Sequence, residues 1–179
     1  DLCEDCGEKI EQLFPCFPPR FIAGDAETLS FPGKFDLIAS ASVFQWIKEP
    51  EVFLHKLSGL LVPQGVLLFS SFLPGNLHEI KELTGEGLVY PTFDTLAGWL
   101  SAADFELLHS EEETIVLTFK TPLEVLRHLK ATGVTATGNG RWTRGRQESL
   151  CKQYSERFST SDDRVTLTYR PLYILAVKK

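Results

Sequence analysis

Residues 35–46, Phe35-Asp36-Leu37-Ile38-Ala39-Ser40-Ala41-Ser42-Val43-Phe44-Gln45-Trp46, hold a short apolar run that gives way to small and hydroxylated residues and then to aromatic ones. With the turn-forming Phe31-Pro32-Gly33-Lys34 before it, the run predicts a buried strand over 35–39 whose end is marked by Ser40 and Ala41. Upstream, a helix is expected to about Phe14, stopped by Pro15, Pro18 and Pro19, which cannot continue one. The short apolar stretch Arg20 to Ala23 then predicts a strand ending at Gly24-Asp25. Downstream, Phe53, Leu57, Leu60 and Leu61 fall on one face of a helix over about 50–61, closed by Pro63-Gln64-Gly65. Val66 to Phe69 is a third apolar run. Strand and helix alternate at the spacing of an α/β protein with a doubly wound, mostly parallel sheet.

The second half continues the alternation less regularly. Asn76-Leu77-His78-Glu79 has the form of a capping box before Leu77, Ile80 and Leu83, and a helix from Asp94 carries Leu96, Trp99, Leu100 and Ala103 on one face. Thr114 to Phe119 predicts a strand, and Thr121-Pro122-Leu123-Glu124 opens a helix that should stop near Gly133. Thr132 to Gly145 reads as a loop, Leu150, Tyr154 and Phe158 mark one more helix, and Val165 to Val177 is a long strand-like stretch interrupted by Pro171. A single domain over 1–179 is expected. Residues 74–93 and 120–163 exceed what an alternating sheet needs, and both follow strands, so they predict a lid over the carboxyl end of the sheet.

The chain has 179 residues, 43% of them hydrophobic and 23% charged, enough apolar mass for one core. No run approaches the eighteen or so apolar residues of a membrane span, and the N-terminus lacks the form of a secretory signal, so a cytoplasmic protein is expected. There is no methionine at all, and Asp1 is expected to be an internal residue of a longer protein. A net charge of −6 argues against nucleic acid and anionic membrane as partners. The charge is uneven, however. Between Glu124 and Glu148 there is no acid, while Arg127, Lys130, Arg141, Arg144 and Arg146 stand there, so an acidic partner is expected for that stretch. Cys3, Cys6 and Cys16 have the look of a metal knuckle, but a structural zinc site takes four ligands. Cys6 also falls on the stripe Cys6, Ile10, Leu13, Phe14, and buried reduced thiols with no metal are the expectation.

In open α/β sheets the residues just beyond the strand ends carry the ligands. Here these are Asp1, then Gly24-Asp25-Ala26-Glu27, then Ser40 to Trp46. The series resembles class I S-adenosylmethionine-dependent methyltransferases, which implies a Rossmann-like sheet with an antiparallel last strand. It also implies that Asp1, with Leu2 beside it, holds the cofactor ribose, Asp25 and Ala26 the adenine, and Ser40-Ala41 the amino-acid end. The first strand and glycine-rich loop of that fold are absent from the sequence, and the N-terminal part of the domain is expected to be missing. Phe44-Gln45-Trp46, Gly75 to Ile80, Leu129-Lys130-Ala131-Thr132-Gly133-Val134 with Arg141-Trp142 following, and Leu167 to Tyr173 narrow the likeness. Together they resemble the biotin-synthesis malonyl-[acyl-carrier protein] O-methyltransferase family. That resemblance implies S-adenosylmethionine as cofactor, an acyl carrier protein carrying malonyl as partner, and methylation of the malonyl carboxylate.

A carboxylate with a pKa near or below 4 is already ionised at neutral pH and needs no general base. Catalysis would come from holding its oxygen roughly 3 to 3.5 Å from the methyl group in a site that excludes water. Arg141 is the first candidate for gripping the anion, because a guanidinium offers it a bidentate fork, and Arg144 is the second. Gln45 and Trp46 are the candidate catalytic neighbours. Phe44, Trp46, Tyr90 and Trp142 are candidate walls, and Arg127, Lys130, Arg144 and Arg146 a candidate carrier-docking face. His55, His78, His109 and His128 are scattered and read as surface or packing residues.

Overall fold

The computed structural model describes residues 2–17, 19–134 and 143–179. A helix α1 (Cys6–Leu13) is followed, after a stretch whose described residues include turns, by strand β1 (Phe35–Ser40), a single 3₁₀ turn (Phe44–Trp46), helix α2 (Pro50–Leu60) and strand β2 (Leu61–Phe72). Helices α3 (His78–Thr84) and α4 (Phe93–Ala102) precede strands β3 (Phe105–Glu112) and β4 (Ile115–Phe119). Helices α5 (Pro122–Ala131) and α6 (Arg144–Phe158) precede strands β5 (Val165–Tyr169) and β6 (Pro171–Lys178).

The main sheet has the order β1-β2-β6-β3. β1 and β2 are parallel, with Leu37 opposite Val66 and Ser40 opposite Phe69. β6 is antiparallel to both its neighbours, pairing Val66 to Phe72 of β2 with Val177 to Pro171 and Phe105 to Glu112 of β3 with Lys178 to Leu172. Three of the four strands therefore point one way and the last strand runs against them, as the resemblance to class I methyltransferases implies. β4 and β5 form a separate antiparallel ribbon.

Two cores result. Leu54, Leu67, Phe69, Leu96, Leu100, Phe105 and Ile174 pack α2 and α4 against the sheet, each such buried side chain contributing about 1.5 to 3 kcal/mol. Leu77, Val125, Leu129, Tyr154, Val165 and Leu167 form a second cluster among α3, α5, α6 and β5. Phe44, a candidate wall, stacks on Phe69 at 4.4 Å between ring centroids and is 3% exposed, so it is a core residue.

Several expectations are corrected. Arg20 to Ala23 is not a strand in the described structure. Phe21 instead covers Gly7 of α1, where a Cβ would come within 2.9 Å of its ring. The stripe on α1 is only partly covered: Leu13 is 73% and Phe14 56% exposed. Cys3 and Cys16 are exposed and Cys6 and Cys151 half-buried, so the thiols are outside disulfides but not fully buried, and no metal-binding group of ligands occurs among the described residues. β2 begins at Leu61, five residues earlier than expected, and β3 was not expected at all. The stretch Val165 to Val177 divides at Arg170 between two sheets. The loop expected to reach Gly145 is shorter, since Thr143 caps α6 by accepting from Arg146 N–H. No helix among the described residues is long and apolar enough to cross a membrane.

The capping box at Asn76 to Glu79 does not form. Leu77 takes a left-handed conformation (φ 53°) at the N-cap of α3, and both polar side chains turn inward. Glu79 is 0% exposed, its carboxyl accepting from Thr168 N–H at 3.0 Å and Thr168 Oγ1–H at 2.7 Å. Leu77 N–H donates to Thr168 O at 2.7 Å, so α3 is bound to β5 by three hydrogen bonds. Removing the carboxyl would strand two buried donors at about 1 to 3 kcal/mol each. Glu79→Ala is accordingly expected to lower the unfolding free energy by about 2 to 5 kcal/mol, measured by urea denaturation; a loss under 1 kcal/mol would show that water replaces the carboxyl without cost.

Candidate functional site

The carboxyl ends of β1 and β2 and the N-terminal end of β6 lie at one end of the main sheet. The segment before β1 is shaped first by Gly24, whose φ of +144° suits glycine and whose added Cβ would press on Leu29 at 3.0 Å. This turn delivers Asp25. One carboxylate oxygen accepts from Glu27 N–H at 2.9 Å, and the Asp25 carbonyl accepts from Thr28 and Leu29 N–H. The other carboxylate oxygen has no partner among the described residues.

Lys56, which the sequence did not single out, and Glu27, to which it gave no role, fix this loop on α2. Lys56 Nζ donates to the carbonyls of Ala26, Glu27 and Leu29 at 2.8, 3.0 and 2.6 Å. Glu27 Oε1 accepts from Lys48 and Glu49 N–H at 3.1 and 3.2 Å, at the start of the same helix. Held in this way, Ala26 joins Ile38, Ser40, Val43, Ile47 and Phe53 around an apolar cavity of about 320 Å³. Ala26 and Ser40, predicted separately as cofactor residues, thus share one cavity. Ala41 is exposed, and Leu2 is 75% exposed; neither lines it.

Beyond Ser40 the chain turns at Ser42, in a left-handed conformation (φ 53°), with its N–H donating to Ser70 Oγ of β2 at 2.9 Å. Gln45 Nε2–H donates to Ser42 O at 2.6 Å. A carbonyl can only accept, so this bond fixes the amide, and Gln45 Oε1 is left shielded from solvent with no partner among the described residues. Trp46 is 42% exposed.

On the opposite side, Phe72 ends β2 and meets Tyr90 edge-on at 6.1 Å, with Tyr169 at the same distance. Tyr90 accepts a hydrogen bond from Asn76 Nδ2 at 2.9 Å, and Tyr169 meets His128 Nε2 at 3.0 Å. Burial pushes both phenols above their ordinary pKa, so both keep their protons at neutral pH. Arg127 and Lys130 are exposed on α5. Arg144 and Arg146 occupy the first turn of α6 and pair with Glu148 at 3.1 Å and Glu86 at 3.4 Å, so acids from outside the acid-free stretch approach it in space. Asp1, Arg141 and Trp142 lie outside the described residues.

A family model described as a methyltransferase domain matches residues 1–69. The malonyl-[acyl-carrier protein] O-methyltransferase of Porphyromonas gingivalis is 51% identical over 178 residues, covering 98% of this chain and 68% of that protein. The chain belongs to the malonyl-[acyl-carrier protein] O-methyltransferase family. A relative of the same name from Bacteroides fragilis is 43% identical over 179 residues, and there the chain spans 36% of the relative's length. In fold, an S-adenosylmethionine-dependent methyltransferase of Mesorhizobium loti superposes with a TM-score of 0.58 at 16% identity, covering 99% of this chain and 78% of that one.

Asp25 carries a turn bond on one oxygen and leaves the other open, so Asp25→Asn separates a turn role from a ligand role. The amide oxygen can still accept from Glu27 N–H, while a donor replaces the open acceptor. The dissociation constant for S-adenosylmethionine, read by calorimetric titration, is expected to weaken by about 1 to 3 kcal/mol with little change in melting temperature. An unchanged constant would reduce Asp25 to a turn residue.

Proposed function

We propose that this chain takes part in transferring a methyl group from S-adenosylmethionine to the free carboxylate of a malonyl thioester on an acyl carrier protein. The observation that carries this reading is the 51% identity, over 98% of the chain, to a protein of that name. S-adenosylmethionine supplies a methyl group on a positively charged sulfur. The residues present fit such a cofactor: the cavity beside Ala26 and Ser40 has apolar walls suited to a flat base, and the open Asp25 oxygen is an acceptor for an exocyclic amine. The unpartnered Gln45 Oε1 is a further acceptor for a ligand donor.

The malonyl carboxylate is ionised at neutral pH, and the work left to the protein is to orient it and exclude water. Phe72, Tyr90 and Trp46 would wall the acceptor side, and Arg141 would grip the anion with its fork. The 74–93 and 120–163 segments, joined through the second core and tied to β5 by Glu79, would act as the lid. Methyl transfer replaces an anion by a neutral ester. The direct test is incubation of the enzyme with S-adenosylmethionine and malonyl-carrier protein, with mass spectrometry of the product. A gain of one methyl group on the malonyl unit is expected, and Arg141→Ala should reduce it. No methyl gain on any malonyl thioester would overturn the reading.

Carrier docking is proposed for the basic residues of α5 and α6. Among the described residues no acid pairs with Arg127 or Lys130, whereas Arg144 and Arg146 hold exposed ion pairs worth only about 0 to 1 kcal/mol, which a partner can exchange. Electrostatic attraction of this kind acts mainly on association and is weakened by salt. Reversing Arg144 and Arg146 to Glu is expected to raise the KM for malonyl-carrier protein and flatten its salt dependence, with malonyl-coenzyme A turnover kept within a few fold. Arg127→Glu with Lys130→Glu should act in the same direction. If neither pair changes the carrier-protein KM or its salt slope, the face is solvated surface.

A further inference from the structure

Asn76 is 4% exposed and sits between two hydrogen-bonding partners whose chemistry fixes its orientation. Arg170 N–H, at the junction of β5 and β6, lies 3.0 Å from Asn76 Oδ1. A backbone N–H can only donate, so the atom facing it is the amide oxygen, and the NH₂ group is the one that faces Tyr90 at 2.9 Å. The NH₂ group can only donate in turn. Tyr90 is therefore the acceptor in that bond, and its own proton must be given elsewhere. Among the described residues no acceptor takes it. Asn76 and Tyr90 together line both a partly open pocket of about 90 Å³, walled also by Leu77, Ile80 and Leu129, and a more open groove of about 500 Å³ beside Pro74 and Val89.

We infer that Tyr90 is a directional hydrogen-bond donor to a carboxylate oxygen of the malonyl group, and that Asn76 is the positioning residue that aims it. The inference rests on the proposed function and deepens it. The phenol stays protonated because burial raises its pKa, and the edge contact with Phe72 holds the ring at the end of β2. A neutral donor of this kind orients an anion without neutralising it, so the carboxylate keeps its nucleophilic charge. The chain Arg170 N–H to Asn76 to Tyr90 also couples the aim of the hydroxyl to the β5–β6 junction, so the donor is set by the same backbone that inserts β6 into the sheet.

Three variants and two thioesters test it, with affinity measured by titration in the presence of S-adenosylhomocysteine. Tyr90→Phe keeps the ring and removes the donor. Asn76→Asp keeps an acceptor for Arg170 N–H but presents a second oxygen to Tyr90, which would then donate its proton to the aspartate instead of to the ligand. Each is expected to weaken malonyl-coenzyme A binding by about tenfold to a hundredfold, the range of a hydrogen bond to a charged group. The double variant should be no weaker than either single one. Acetyl-coenzyme A, which lacks the carboxylate, should bind all four proteins alike. Malonyl-coenzyme A affinity within twofold of wild type in Tyr90→Phe would overturn the inference, as would equal weakening toward both thioesters, additive losses in the double variant, or a wild type that does not bind malonyl-coenzyme A. A wild type that binds malonyl-coenzyme A without methylating any malonyl thioester would instead sink the proposed reaction, and the titrations would still decide the role of Tyr90.

Discussion

β6 enters the main sheet antiparallel between β2 and β3, and the rest of the molecule is arranged by that insertion. Its ladder with β2 runs from Val66 opposite Val177 to Phe72 opposite Pro171. Because β6 runs against its neighbours, its first residues lie where β2 ends. Pro171, which has no N–H to give a ladder, stands at the start of the strand, and Arg170 before it turns the chain from the β4–β5 ribbon into the main sheet. Leu73 N–H donates to Arg170 O at 2.9 Å, Leu77 N–H to Thr168 O, and Arg170 N–H to Asn76. The segment leaving β2 and the segment entering β6 are thereby laced together at the end of the sheet where ligands of α/β folds bind.

This lacing explains why two hydrophobic cores coexist in so short a chain. The sheet core is ordinary α/β packing of α2 and α4. The second core is joined to the sheet where Leu73 N–H donates to Arg170 O and Arg170 N–H to Asn76, at the ends of β2 and β6. Within that core Glu79 holds α3 to β5: a carboxyl group with no solvent exposure persists only where its hydrogen-bonding capacity is met, and Thr168 meets it with both backbone and hydroxyl. Tyr154, fully buried in the same core, donates its hydroxyl to Thr166 O at 2.6 Å. β5 is thus held to both α3 and α6 by polar side chains that tolerate little change in geometry.

On the other side of the site, the loop carrying Asp25 and Ala26 is held by charge-assisted bonds to α2, from Lys56 to three carbonyls and from the helix start to Glu27. Such bonds are stronger than neutral ones and make the loop an extension of the helix. β1 beside it forms the edge of the described sheet, with Leu37 56% exposed. The cavity between loop, strand and helix is apolar, and Asp25 and Gln45, outside its lining, each have a side-chain oxygen that no described residue partners. Both are acceptors, which fits a ligand rich in amine donors.

The alternation of apolar runs around residues 35–46 and 66–69 was enough to read β1, α2 and the centre of β2, because a buried strand flanked by turn residues leaves a local pattern. The small residues after β1 and the Gly24-Asp25-Ala26 turn were legible for the same reason, since glycine and aspartate mark backbone geometry that few other residues adopt. The acid-free stretch was likewise visible along the chain. Spatial proximity was not. Glu86 approaches Arg146 across 60 residues of sequence, so the basic face is less bare than its sequence suggests. β3, with Glu106, Glu111 and Glu112, carries too little alternation to be told from a loop, and it is a strand because β6 lies beside it. Arg20 to Ala23 has the composition of a strand and is not one in the described structure. Asn76 and Glu79 read as a helix cap on local spacing alone; the tertiary structure turned them inward, because the unpaired N–H groups of Thr168 and Arg170 needed acceptors in the interior more than the helix end needed a cap that water can supply. Local pattern determined which segments could be strands or helices, and long-range pairing decided which were, since a ladder or a buried hydrogen bond has two ends and the sequence shows only one at a time.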